Sequence, residues 1–150
     1  MAKSLNKNEI AVEIGSWKGK STIWLAAGSK KGNRAMIYAV DTFTGSSEHQ
    51  KPGKIIWNFD EFKLNIKKAG VDDIIRPIVN TSKKAAEEWK LPIKFLFIDG
   101  AHEYEFVEKD FSLWSPYVVD GGIIAFHDTT PDLKAILKNW AIFGLPGPKK

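Results

Sequence analysis

Val12-Glu13-Ile14-Gly15-Ser16-Trp17-Lys18-Gly19-Lys20-Ser21-Thr22 passes from an apolar, β-rich run through two glycines into residues with helical spacing. Gly15 and Gly19 lack a β-carbon, so the backbone there can turn sharply and approach a ligand closely. The helix that follows aims its free amide groups at the same place, which favours a carboxylate or phosphate. Working outward, β-rich runs occupy Glu9–Gly15, Ala35–Asp41, Ile74–Asn80, Ile93–Asp99 and Gly122–Asp128. Helical spacing fills Ser21–Ala27, Ile56–Ala69, Ser82–Trp89 and Glu103–Trp114, and Thr130-Pro131-Asp132 reads as the cap and first turn of a last short helix. Strands alternating with helices predict an α/β domain with a doubly wound, mostly parallel sheet of order 3-2-1-4-5.

The 150-residue length suits a single domain, with its core over residues 9–130 and a short C-terminal helix and tail over 131–150. No run is long enough to cross a membrane as a helix, and the polar start, Met1 to Asn8, lacks the apolar centre of a secretion signal. The absence of cysteine excludes a disulfide scaffold and a thiolate metal site, and is compatible with a cytoplasmic protein. The lysine pairs at 30–31, 67–68, 83–84 and 149–150 fall on separate elements and read as solvated faces, so nucleic acid is not an expected partner. The long loop Thr42–Ile55 reads either as a lid or as a plain surface excursion.

Ligands of open parallel sheets gather beyond the carboxyl ends of the strands. Each predicted strand ends there in polar residues: Glu13 to Thr22, Asp41-Thr42, Asn80-Thr81-Ser82, Asp99-Gly100-Ala101-His102 and His127-Asp128. Asp41 could accept hydrogen bonds from ribose hydroxyls. The string Gly15-Ser-Trp-Lys-Gly19-Lys20-Ser21 looks like a phosphate-binding loop, but it has three residues between the glycines where that loop needs four. The dinucleotide fingerprint also fails, because Trp17 stands where it needs a second glycine.

Taken together, Val12–Thr22, Tyr38-Ala-Val-Asp41, Phe95–Tyr104 and Gly121–Asp128 resemble the class I S-adenosylmethionine-dependent methyltransferases, whose fold is Rossmann-like. Within them the chain is similar to the branch of catechol-type and sugar O-methyltransferases. The resemblance implies that S-adenosylmethionine is the cofactor. It implies that Glu13, Gly15, Ser16 and Gly19 shape the methionyl end of its pocket, with Trp17 and Ser21 in the same cofactor-binding set. Asp41 would hold the ribose, Thr81 and Ser82 would edge the adenine, and Asp99 would sit near the sulfonium and the acceptor.

Methyl transfer from a sulfonium is an in-line displacement in which the protein aligns the partners and deprotonates the acceptor oxygen where needed. Asp99, Asp128 and His127 form a candidate set for magnesium or another divalent cation, which would lower the acceptor hydroxyl's pKa. His127 stands where catechol-type enzymes usually have a carboxylate, so the metal stays open. Without metal, His102 or His127 is the natural general base. The Asp-Gly-Ala-His turn, in place of the Asn/Asp-Pro-Pro-aromatic turn of nucleobase amino methylases, points to a hydroxyl on a small molecule or sugar. Of the six tryptophans, Trp24, Trp57, Trp89 and Trp114 fall on helix faces and are expected in the core, while Trp17, in the glycine loop, is the one expected to touch the ligand.

The resemblance breaks at the C-terminus. Too little chain follows Asp128 for the two further strands of the family sheet, so the edge at strand 5 is expected to be covered by the segment holding Trp140, Phe143 and Leu145, or by a homodimer partner. A non-catalytic module that binds an adenosyl cofactor, or an incomplete methyltransferase domain, is the alternative reading. A phosphate-loop nucleotide-binding protein comes third.

Overall fold

The computed structural model describes residues 1–45 and 56–127. Five parallel strands, β1 (Ile10–Ile14), β2 (Met36–Asp41), β3 (Ile75–Val79), β4 (Ile93–Ile98) and β5 (Val118–Phe126), form one sheet of order β3-β2-β1-β4-β5. Between them lie α1 (Lys20–Lys31), α2 (Phe59–Lys68), α3 (Ser82–Glu88) and α4 (Tyr104–Trp114). The predicted topology is the observed one.

Alternation along β1 sorts the core into two layers. Ala11 faces one layer with Ala26, Ile37, Phe43, Phe62 and Ile66, beneath α1 and α2. Val12 and Ile14 face the other with Ala85, Leu96, Ile98, Phe111 and Trp114, beneath α3 and α4. Helices on both faces explain why these strands are apolar on both sides. The period of two also sends Glu13 to the α1 face, where it is fully buried.

Three expectations need correction. The run of β5 begins at Val118, not Gly122, because Asp120, Gly121 and Gly122 are absorbed in a register shift. Ile93 pairs with Val118 and Phe95 with Ile123, and Gly121 takes φ +67°, the conformation glycine supplies at an irregularity of this kind. Trp24 and Trp57 are 74% and 53% exposed, while Trp89 and Trp114 are buried as expected. Helix α1 buries Thr22, Ala26 and Ser29, and Trp24 lies about 200° around from Thr22, on the far side. Trp57 precedes α2, which buries Phe62 and Ile66, and its indole nitrogen donates to Asp60.

The polar start of the chain is structured. Ala2–Ser4 form a 3₁₀ turn, Ala2 and Leu5 are buried, and Asn33 donates to the Leu5 carbonyl. The segment lies close against the end of α1, where a Cβ on Gly32 would collide with the Lys3 carbonyl. Strand β5 stands at one end of the sheet with Ile123 45% exposed. The predicted C-terminal helix, Asp128 as a metal ligand, the covering segment with Trp140, Phe143 and Leu145, and most of the loop Thr42–Ile55 lie outside the described residues. Among the described residues no helix is long and apolar enough to cross a membrane.

Candidate functional site

The carboxyl ends of β1, β2, β3 and β4 open on a cleft of about 1010 Å³. Gly15, Ser16, Trp17, Ser21, Asp41, Thr81, Ser82, Asp99, His102 and His127 line it, so most of the predicted site residues meet in one place. Glu13 and Gly19 lie behind its wall. Gly15 has φ +88°, and its amide donates to the Val40 carbonyl. An added Cβ there would strike the Asp99 carbonyl oxygen and lie 2.6 Å from the Gly100 Cα. Gly19, also at φ +88°, is the N-cap residue of α1 and leaves room for the Phe62 ring.

Trp17 has φ +47°, a left-handed conformation rare outside glycine. It therefore holds by strain a turn conformation that glycine adopts freely. The Asp41 carboxylate stabilises that turn. Its Oδ2 accepts from the Ser16 and Trp17 amides at 2.8 and 2.7 Å, and its Oδ1 accepts from the Phe43 amide at 2.6 Å. A carboxylate offers about four lone-pair sites, so one remains on Oδ1 for a ribose hydroxyl. The same bonds argue against a phosphate loop, since the amides that would cradle a phosphate already hold a carboxylate.

Glu13 sits under this loop. Its Oε2 accepts hydrogen bonds from the hydroxyls of Ser16 (2.8 Å) and Thr22, while Oε1 is buried with no hydrogen-bond partner among the described residues. Burial pushes its carboxyl up to about 7. The hydroxyls of Ser21, Thr22 and Ser16 oppose that rise, and the Asp99 charge adds to it. Because the folded value lies above the unfolded one, the stabilisation tied to the bound proton is complete below about pH 4.5. It is lost as pH rises through about 7. The loss amounts to about 3 kcal/mol. Urea unfolding at pH 5 and pH 8 should show this loss in the wild-type protein and not in Glu13→Gln. Equal pH dependence in both would refute the assignment.

At the other side of the cleft, the Asp99 amide donates to the Ile14 carbonyl and the His127 amide to the Ile98 carbonyl. These bonds fix the ends of β4 and β5 side by side, and His127 Nδ1 lies 3.0 Å from Asp99 Oδ1. The rings of His102 and His127 are 6.4 Å apart between centroids. Thr81 caps α3 by accepting from the Lys84 amide, and the Ser82 hydroxyl accepts from the Trp114 indole at 2.9 Å.

Sequence reasoning missed Asp110 and Phe106 of α4, Trp24 of α1 and Met1–Lys3, which also line the cleft. For Trp24 the signal was present, because small residues at 26–29 mark the packed face of α1 and leave the tryptophan opposite. Asp110 gave no comparable signal, since an acidic residue on an amphipathic helix usually faces solvent.

An S-adenosyl cofactor suits this lining. The site presents the carboxylates of Asp41, Asp99 and Asp110 to a ligand whose amino group and sulfonium are positive. The glycine turn at Gly15 leaves space that any side chain would fill. For a divalent cation, Asp99 and His127 are already engaged with each other, and no group of three suitable ligands is gathered among the described residues.

Residues 12–129 match the methyltransferase-domain family. A curated relative, uncharacterised protein R132 of Acanthamoeba polyphaga mimivirus, is 31% identical over 132 residues. That alignment takes in 85% of this chain but 55% of the relative, so the chain spans about half of that protein's length. Among solved structures, the O-methyltransferase NovP matches with a TM-score of 0.71 at 19% identity, over 90% of this chain and 64% of NovP. The O-methyltransferase of Bacillus cereus, in complex with SAH, gives 0.59 at 19% identity, over 89% and 61%. An rRNA methylase from Streptococcus thermophilus gives 0.63 at 16% identity, over 97% and 75%. Similarity at these identities establishes the fold, which serves acceptors of different kinds. The match across residues 12–129, on a sheet of this order, shows that the chain belongs to the methyltransferase-domain family.

Proposed function

We propose that this domain transfers the methyl group of S-adenosylmethionine to a hydroxyl of a small molecule or sugar, with His127 as the general base. The observation that carries this reading is the His127–Asp99 pair, fixed beside the Gly15 turn at the mouth of the cleft. The methionyl end of the cofactor would lie along Gly15, Ser16, Trp17 and Ser21, with Gly19 and Glu13 shaping the turn from behind. Its ribose would lie at Asp41 and its adenine near Thr81 and Ser82.

With Nδ1 bonded to Asp99, Nε2 becomes the basic nitrogen of His127 and takes the acceptor's proton as its oxygen attacks the methyl carbon. His102, on the adjoining turn, is the second imidazole within reach of the acceptor end. The Phe97 ring, 6.3 Å from that of His127, gives that end an apolar surface suited to a ring-shaped acceptor. The direct pairing of Asp99 with His127 favours this base over magnesium assistance, because a hard cation would have to separate the two, and imidazole is a poor ligand for it. Were magnesium held here, Asp99 and Asp128 would be its ligands and it would acidify the acceptor hydroxyl.

Calorimetry with S-adenosylhomocysteine, with and without magnesium, tests the reading. Micromolar binding without metal is expected, weakened at least about tenfold in Asp41→Ala, which loses the ribose acceptor and frees the loop amides. Binding that requires magnesium would favour the metal-assisted reaction. Binding of ATP in place of the adenosyl compound would overturn the cofactor assignment. Tight binding without methyl transfer to any hydroxyl acceptor would identify a non-catalytic module.

A further inference from the structure

Parallel sheets are ordinarily buried on both faces. On the face shared with α1 and α2, the outer strand β5 is uncovered among the described residues, and Ile123 is 45% exposed there. Alternation sends Phe95, Phe97 and Asp99 to this face from β4, and Ile123, Ala125 and His127 from β5. The register pairs Phe95 with Ile123 and Phe97 with Ala125, and the Phe97 ring stands 6.3 Å from that of His127. An apolar floor therefore leads away from the Asp99–His127 pair, about 13 Å long over four residues of strand. One flank of α1 makes the wall. Lys20, Ser21, Trp24, Leu25 and Gly28 line the cleft, and their spacing keeps them within about 140° of one another around the helix. Trp24, 74% exposed, stands midway along this flank. At the foot, a Cβ on Gly28 would lie 3.7 Å from the Ala2 Cβ and from the Lys3 amide nitrogen, so the N-terminal turn closes that end. Phe95, Phe97 and Ala125 line the same cavity as the cofactor turn. At about 1010 Å³ it reaches the upper end of the range for small-molecule sites, about 300–1,000 Å³, which leaves room beside a cofactor.

We infer, resting on the hydroxyl-transfer reading above, that this trough is a subsite for an apolar chain on the methyl acceptor. The acceptor's hydroxyl lies at His127, and its chain runs over Phe97 and Ala125 against Trp24 and Leu25. Indole, phenyl and methyl surface is what the trough offers, and covering it with an apolar chain removes both surfaces from water. A sugar would leave its remaining hydroxyls unpaired against the same floor, at a cost for each one. The trough thus selects a hydroxyl compound with an extended apolar substituent over a sugar. The continuity of the floor with the Asp99–His127 pair is what assigns the trough to the acceptor.

The test titrates the full chain, saturated with S-adenosylhomocysteine, with 4-ethylphenol and 4-hexylphenol by calorimetry. A fully buried methylene tightens binding about fourfold and a half-covered one about twofold, so the four extra methylenes should gain at least about tenfold. Trp24→Ala removes the wall and Ala125→Phe fills the floor, and each should cut that gain to about threefold or less. Trp24 is exposed, so its loss leaves the core untouched, and urea midpoints close to wild type confirm that each variant folds. Equal affinity of wild type for both phenols overturns the inference without any variant. So does a gain that survives in both folded variants, which would place the chain elsewhere. A wild-type dimer that Trp24→Ala dissociates, with no gain from the chain, also overturns it and makes the trough a contact between two copies. Failure to bind S-adenosylhomocysteine sinks the cofactor reading instead. A chain-dependent gain lost in the variants, without methylation of either phenol, supports the apolar subsite and sinks hydroxyl transfer.

Discussion

Gly15→Ala should bind S-adenosylhomocysteine too weakly to measure and lose at least about 2 kcal/mol of stability. Two separate costs act at this position. The first is conformational, since φ +88° is a region that residues with a β-carbon rarely adopt. The second is steric, because the new methyl would strike the Asp99 carbonyl oxygen and lie 2.5 Å from its carbon. That carbonyl cannot retreat easily, as the amide of the same residue donates to Ile14 and fixes β4 against β1. Gly70→Ala isolates the first cost, for Gly70 has φ +64° and nothing within 4 Å of an added Cβ. That variant should lose only about 1 kcal/mol and bind normally. Urea unfolding and calorimetry on the pair would decide. A Gly15 variant no worse than the Gly70 variant in both would show that the close approach of β1 and β4 does not shape the site.

Much of this architecture was legible because the apolar runs are strand-length and the connections between them are helical. Right-handed crossovers between parallel strands then leave few sheet orders open. The polar strand ends were legible for the same reason, and Gly15, Asp41, Asp99 and His127 come together as the order 3-2-1-4-5 requires. What was lost depended on facts outside the local pattern. Trp24 carries the hydrophobicity of a core residue, yet the helix that bears it packs through Thr22, Ala26 and Ser29. The β-rich run reads as a strand only from Gly122, and only the pairing of Ile93 with Val118 shows that β5 has already begun. The loop-holding bonds of Asp41 could not be read either. They depend on Trp17 adopting a left-handed conformation that its residue type does not suggest.

His127→Ala should lower kcat by roughly a hundredfold to ten-thousandfold while leaving the affinity for S-adenosylhomocysteine within about threefold of wild type. The separation follows from placement. His127 is half-exposed at the end of β5, paired through Nδ1 with Asp99, whereas the cofactor turn is held by Asp41 and by the β1–β4 contact. On the proposed mechanism, removing the imidazole deletes the proton acceptor, and it leaves the turn intact. Asp99→Asn should also slow turnover, because an amide can present a donor to Nδ1 and so favour the tautomer with the proton on Nε2, the wrong nitrogen for a base. Turnover would be followed as S-adenosylhomocysteine released, with the best acceptor from a panel of phenols and sugars, in the presence of a chelator and of magnesium. Activity in chelator that falls with His127→Ala supports the histidine base. Activity that vanishes in chelator and returns with magnesium would transfer the acidifying role to a metal. Full activity in His127→Ala without metal would leave His102 as the remaining imidazole at the acceptor end, and His102→Ala would then have to show the loss instead.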